Sequence, residues 1–274
     1  MPELPEVETT RKGISPYCQD QTVQQVIIRQ PSLRWPIPSN LPELLEQQCI
    51  RGIQRRGKYL LFQFDHGTLM VHLGMSGSLR ILLQPEAVQK HDHVDIILTS
   101  GHSLRYHDPR RFGAILWTEA PIEEHKLIHH LGPEPLSDQF TAEYFSEKCQ
   151  GKKMAIKTFV MDSKVVVGVG NIYANEALFM SGIHPKEAAG NLSEGKRSLL
   201  VSKIRFVLER SITQGGTTLK DFVGGDGKPG YFAQQLNVYG RAGQDCPECG
   251  QTLLEIRQSN RSSVFCPDCQ PLSE

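Results

Sequence analysis

The sequence predicts an α+β chain: a leading helix, a β-sandwich or barrel of short strands, a helical segment, and a β-hairpin near the end. Three observations carry this. Short β-type runs recur from Thr22 to Trp117, helical periodicity replaces them beyond Asp138, and four of the seven cysteines form two close pairs after residue 245.

The leading helix is expected over residues 3–14. Pro5 sits near its start, Glu3, Glu6 and Glu8 suit its positive N-terminal end, and Leu4, Val7 and Ile14 share a face. Strand-like runs follow at Val23–Arg29, Tyr59–Phe64, Thr68–Leu73, Ser78–Leu83, Val94–Leu98 and Arg111–Trp117, with turns at Asp65-His66-Gly67 and Ser100-Gly101. The prolines of Leu131–Asp138 mark a stiff connector. Beyond it, Ser193 is expected to cap a helix with Leu200, Ile204, Val207 and Leu208 on one face, ended by Gly215-Gly216. Gly224–Gly230 holds too many glycines for regular structure and reads as a mobile loop. The expected organisation is 1–130, a linker at 131–138, a helical domain at 139–225, and a loop with the closing hairpin at 226–274.

Hydrophobic residues make up 39% and charged residues 22% of the 274, as in soluble globular chains. No apolar run reaches the roughly 18 residues of a membrane helix. The acidic, proline-bearing start is unlike a secretory signal, so a cytoplasmic protein is expected. The net charge of zero gives no support to a nucleic-acid partner. The basic residues nevertheless cluster: Arg51, Arg55, Arg56 and Lys58; Arg105, Arg110 and Arg111; Lys152, Lys153 and Lys157. An anion-binding surface would have to be assembled by folding these clusters together.

Cys246-x-x-Cys249 and Cys266-x-x-Cys269 are separated by sixteen residues. Two residues between thiolates let both sulfurs reach one tetrahedral ion at about 2.3 Å, and the spacer is that of a two-knuckle zinc site. Residues 252–256 and 262–265 read as the hairpin strands between the knuckles. Four protein ligands would close the coordination sphere, so one structural zinc is expected. Cys18, Cys49 and Cys149 are isolated and read as bland thiols.

At the other end, removal of Met1 would leave Pro2 with a secondary α-amine whose reference pKa is about 7.7–8.0. Such an amine can attack a sugar C1′ and form an iminium. Taken alone, Pro2 reads rather as a helix-start residue.

Further motifs resolve the alternatives. Met1–Thr9, Arg56-Gly57-Lys58-Tyr59-Leu60, His72–Gly77, Asp108-Pro109-Arg110-Arg111-Phe112-Gly113, Gly168-Val169-Gly170-Asn171-Ile172-Tyr173-Ala174, Lys228–Phe232 and the cysteine hairpin with Arg261 together resemble bacterial formamidopyrimidine-DNA glycosylase. The resemblance runs in order from residue 2 to about 270. It implies a β-sandwich, a helix–two-turn–helix domain and a zinc-finger hairpin. It also implies a monomer that excises oxidised purines such as 8-oxoguanine and formamidopyrimidines from damaged double-stranded DNA, then cleaves the abasic strand by β- and δ-elimination. By the same resemblance Pro2 would be the Schiff-base nucleophile, Glu3 the proton donor with Glu6 in support, and Lys58 and Arg261 the phosphate-binding aids to elimination. Met75, Arg110 and Phe112 would fill the gap left by the flipped base, although Met75 and Phe112 alone read as core residues. Asn171, His91, Lys152 and Lys157 would contact DNA, Asn171 also serving as a helix cap. The loop at 224–232 resembles the one that folds over the flipped base.

Two rival readings remain at this point. An endonuclease VIII-like enzyme for oxidised pyrimidines shares the proline nucleophile, but the Leu4–Glu8 start and the long 217–238 segment favour the purine enzyme. A non-catalytic zinc-ribbon DNA-binding protein would need the basic clusters and Asn171 but not Pro2, Glu3 and Lys58 together.

Overall fold

The computed structural model describes residues 2–216 and 235–273. The expectations for the 224–232 loop, the Lys228–Phe232 motif and a boundary between 225 and 226 lie outside those residues. The described chain forms two compact units, 2–129 with 212–216, and 130–211 with 235–273.

Helix α1 (Leu4–Cys18) starts as expected but runs four residues past Ile14, carrying Pro16 within it. Proline removes one helical hydrogen bond. Burial of Ile14 and Cys18, both fully inaccessible, offsets that loss. Seven further elements follow: β1 (Val23–Ile28), α2 (Leu41–Leu45), β2 (Gly52–Arg56), β3 (Tyr59–Phe64), β4 (Gly67–His72), β5 (Ser78–Leu82) and β6 (Asp92–Leu98). β7 (Ser103–His107) and β8 (Ala114–Thr118) complete the set. β2 and β7 lie outside the expected runs because their arginines mask the alternation. The run from Arg111 was expected to be strand, yet pairing begins only at Ala114. Arg111 has φ +55, a left-handed conformation that no strand accepts.

The strands build two antiparallel four-stranded sheets, ordered β1-β6-β7-β5 and β2-β3-β4-β8. Val26, Val94, Ile96 and Leu104 of the first sheet share one core with Leu60, Phe62, Leu69 and Val71 of the second. Two sheets over a common core make this a sandwich and not a closed barrel.

The second unit holds α3 (Ala142–Cys149), α4 (Ile156–Val160), α5 (Asn171–Met180) and most of α6 (Glu194–Thr213). Ser193 Oγ accepts the Lys196 N–H at 3.3 Å, and Leu200, Ile204, Val207 and Leu208 are buried along one face. Gly215 and Gly216 follow the helix with φ +77 and +82. The closing hairpin pairs β9 (Leu254–Gln258) with β10 (Arg261–Phe265). β9 starts two residues later than expected because the turn is only Ser259-Asn260, both at positive φ (+48 and +61), the geometry of a type I′ turn.

Buried polar bonds weld this hairpin to the helices. Asn175 Oδ1 accepts the Val264 N–H at 2.8 Å, and Gln270 Nε2 donates to the Ile183 carbonyl at 2.7 Å. Glu176, 1% exposed, accepts from the Asn237, Val238 and Tyr239 backbone N–H groups and the Asn237 side-chain amide at 2.8–2.9 Å. Each buried acceptor and donor is thereby satisfied by a partner from the other segment. The hairpin is accordingly part of the helical unit and not a module of its own.

Candidate active site

The start of α1 is assembled from buried acids. Glu3 is its N-cap, 2% exposed, and Glu6 is fully inaccessible. The two form a reciprocal capping box in which the Glu3 N–H donates to Glu6 Oε2 at 2.9 Å. The positive end of the helix dipole favours both carboxylates there. Pro2 precedes them and is also buried. Gly216 comes close enough that an added Cβ would meet Glu6 Oε1 at 3.3 Å, so the chain leaving α6 passes over this acid. Burial raises the carboxyl of nearby Glu8, but ion pairs to Arg11 (2.7 Å) and Arg55 (3.0 Å) bring it below its ordinary value.

Lys58 follows Gly57 (φ +57) in the turn between β2 and β3, half-buried. The register of β3 and β4 places Tyr59 opposite His72, with ring centroids 4.8 Å apart. Burial pushes the His72 imidazolium down to about 4, with Lys58 and Arg34 adding repulsion. His72 is therefore neutral near pH 7, and its Nδ1 accepts the Gly74 N–H at 3.0 Å. An unfolded histidine protonates near 6.5. The unfolded state thus binds the extra proton between pH 6.5 and 4, and stability falls as pH drops through that window. We expect urea melts to show a loss of about 3 kcal/mol there, most of it absent in His72→Gln. An unchanged pH slope in that variant would contradict the assignment.

Asp108 organises the expected gap-filling residues. It is fully buried: Oδ1 accepts from Ser76 Oγ (2.8 Å) and the Arg110 N–H (3.3 Å), and Oδ2 from Tyr106 Oη (3.2 Å) and the Gly113 N–H (2.9 Å). One carboxylate thus ties the turn carrying Met75 to the loop carrying Arg110 and Phe112. Gly74, at φ +67, lies against the Phe112–Gly113 peptide, where no side chain would fit. Met75 and Phe112 remain 40% and 45% exposed, against their reading as core, and the Arg110 guanidinium stacks 4.9 Å from the Phe112 ring. With Arg34 and His72 they line a cavity of about 700 Å³. His91 flanks the loop: its carbonyl accepts the Asp108 N–H at 3.1 Å and its ring meets His107 at 5.8 Å.

In the helical unit, Gly170 and not Asn171 is the N-cap of α5, with no side-chain capping bond. Asn171 is the first helical residue, so its expected capping role is corrected. Its Oδ1 has no hydrogen-bond partner among the described residues, and Gly168 reaches the turn before it at φ +87. Lys152 is exposed. Lys157 is not: it is 1% exposed, and its ammonium donates to the Ser262 carbonyl at 2.5 Å and Ser263 Oγ at 2.6 Å. The expectation of a direct DNA contact is corrected by that burial. Arg261 opens β10, exposed, directly after the turn.

The basic clusters divide between surface and scaffold. Arg51 pairs with Asp65, Arg55 with Glu8, and Arg105, 4% exposed, forks onto Asp95 at 2.8 Å through both Nε and Nη2. Sequence proximity to Arg110 and Arg111 therefore did not make Arg105 part of their surface. The signals for the overlooked anchors are local. Asp108 precedes a proline, a turn signature. Glu176 is an acid beside Asn175 within the largely apolar Ile172–Met180 stretch, which calls for a buried partner.

Cys246, Cys249, Cys266 and Cys269 place all four sulfurs within 4.8 Å of one another. The Cys246–Cys269 and Cys249–Cys266 sulfur separations are 3.9 and 3.5 Å. A tetrahedron with Zn–S of about 2.3 Å has edges of about 3.8 Å. The cluster is sized for one zinc ion held by four thiolates, which leaves no open coordination position.

Three family profiles match in chain order. They are the formamidopyrimidine-DNA glycosylase N-terminal domain over 1–115, the formamidopyrimidine-DNA glycosylase H2TH domain over 131–223, and the zinc finger found in FPG and IleRS over 243–272. The fold and its hairpin define a zinc-finger DNA glycosylase of the helix–two-turn–helix class. Formamidopyrimidine-DNA glycosylases of Photobacterium profundum and Vibrio parahaemolyticus are 59% and 58% identical, each over 98% of this chain and all of the relative. The Thermus thermophilus MutM (FPG) structure superposes with a TM-score of 0.89 at 37% identity, with both chains fully covered. A Lactococcus lactis FPG mutant bound to Fapy-dG-containing DNA superposes at 0.92 with 32% identity, over 98% of this chain and all of that one. The chain belongs to the formamidopyrimidine-DNA glycosylase family, base-excision repair enzymes with glycosylase and AP lyase activity.

Proposed function

We propose that this protein removes 8-oxoguanine and formamidopyrimidines from duplex DNA through Pro2 and then cleaves the abasic strand. The burial of Pro2 and Glu3 together with Glu6 carries the reading. Relatives solved with Fapy-dG DNA, abasic-site DNA and carbocyclic 8-oxo-G DNA support the substrate class.

The Pro2 amine attacks C1′, the bond from C1′ to the base breaks, and the leaving base takes up a proton. Glu3 protonates the ring oxygen as the sugar opens to the iminium. The iminium acidifies C2′. Loss of that proton expels the 3′-phosphate, and a second elimination expels the 5′-phosphate. Lys58 and Arg261 neutralise the phosphates that leave. The target base must first leave the stack, and Met75 and Phe112 occupy the gap while Arg110 bonds the orphaned partner. His91, Lys152 and Asn171 hold phosphates, Asn171 at a helix N-terminus suited to anions. Bound zinc fixes the hairpin and supplies no reacting group.

The protein acts in this reading as a cytoplasmic monomer on damaged double-stranded DNA. No helix of the described residues is long and apolar enough to cross a membrane. Borohydride is expected to trap the protein covalently on DNA bearing 8-oxoguanine opposite cytosine. Absence of an adduct with zinc-loaded protein would refute the mechanism. Binding is also expected to weaken with salt at a slope of about −3 in log K against log salt, from phosphates met by Lys58, Lys152 and Arg261. A flat salt response would exclude that footprint.

A further inference from the structure

We propose that Lys157 serves the second elimination as a positioning residue that acts through Arg261. The proposal rests on the role given to Arg261 above. Lys157 lies on α4, yet its ammonium bonds the two residues that follow Arg261 in β10, Ser262 and Ser263. Ser263 Oγ donates in turn to Gln258 Oε1 at 2.7 Å, and Gln258 Nε2 donates to the Pro185 carbonyl at 3.1 Å. Gln258 is the residue paired with Arg261 across the hairpin. One buried cation therefore holds β10 directly, and β9 through Ser263, beside the Ser259-Asn260 turn.

The zinc ligands cannot do this. Cys266 follows the far end of β10, one residue beyond Phe265, so the metal holds the base of the hairpin and leaves its tip to other contacts. Arg261 stands at that tip, on the rim of a 330 Å³ pocket also lined by Met154, Lys157, Thr158, Met161 and Gln258. An apolar side chain would pack α4 against the hairpin at less desolvation cost than a buried ammonium. What the ammonium adds is direction: its bonds set the height and rotation of the strand from which Arg261 projects. A misplacement near 1 Å at a phosphate-binding group is enough to slow a reaction.

The test is a double-mutant cycle on the full-length, zinc-loaded protein with abasic-site DNA, reading the ratio of δ- to β-elimination product. R261A is expected to lower that ratio at least ~10-fold, and K157M or K157Q by about 5- to 10-fold with zinc content unchanged. The double variant should match R261A alone, because Lys157 has nothing left to position. S263A, which keeps the lysine but removes one acceptor, should show a smaller loss of the same kind and serves where the lysine variants fail to fold. Multiplying losses in K157M/R261A, or an unchanged ratio in K157Q and S263A, would overturn the proposal while leaving Arg261 in its role. R261A without effect would sink both.

Discussion

Pro2→Gly is expected to lower excision of 8-oxoguanine by about 10²-fold or more and to weaken the borohydride adduct sharply. Glycine keeps an α-amine of similar basicity, so the loss is not one of nucleophile pKa. It removes the pyrrolidine ring, which ties the nitrogen back to the side chain and holds its lone pair in one direction ahead of the capped helix. Glycine at the same place is free to turn its amine away from C1′. Glu3→Gln is the companion change. The amide can still accept the capping N–H, so α1 should keep its start while the proton donor is lost, with a fall of about 10²- to 10⁴-fold. Folding is separable from both effects by the melting temperature, which should move little. Near-native excision by Pro2→Gly would remove Pro2 from the chemistry.

Cys266→Ser is the second large effect. Cys266 is fully buried and belongs both to the four-sulfur cluster and to a small core with Phe179, Val238, Leu253 and Val264. A 24-residue segment from Cys246 to Cys269 buries too little to fold alone. Structural zinc in comparable modules contributes on the order of 10 kcal/mol or more, and a serine hydroxyl is a poor replacement for a thiolate. The variant is expected to lose its zinc and to bind abasic-site DNA about 10²-fold more weakly, a change of about 2.7 kcal/mol. Amide exchange in β3 and β4 should stay slow, since the sandwich has its own core. Zinc loss with unchanged affinity would show that the hairpin does not present Arg261 to DNA.

What the sequence makes legible follows how local each determinant is. The zinc site is written in spacings of three residues, so it reads directly. The capped start of α1 and the Ser193-capped α6 are equally local. Lys157 reads as surface because it sits in a basic run, and its burial depends on partners 105 and 106 positions away. Arg105 misleads in the same way, through Asp95 on the neighbouring strand. Asp108 and Glu176 each satisfy four donors and leave no trace in periodicity, because those donors are a mixture of backbone N–H groups and side chains, most of them brought in by the fold. Asn171 looks like a cap by residue type, but the chain bends one residue earlier, at Gly170. Pro2 and Glu3 carry too little local pattern to be assigned from chemistry alone, and only the ordered set of motifs along the chain raises them above a helix start.

Covalent attachment at the first residue of the mature chain decides the mechanism. The borohydride-trapped complex with 8-oxoguanine DNA should be digested and its cross-linked peptide sequenced by mass spectrometry. The sugar remnant is expected on the nitrogen of Pro2, in a peptide lacking Met1. A remnant on Lys58 or any other lysine, or an adduct on a chain that retains Met1, would contradict the proline mechanism.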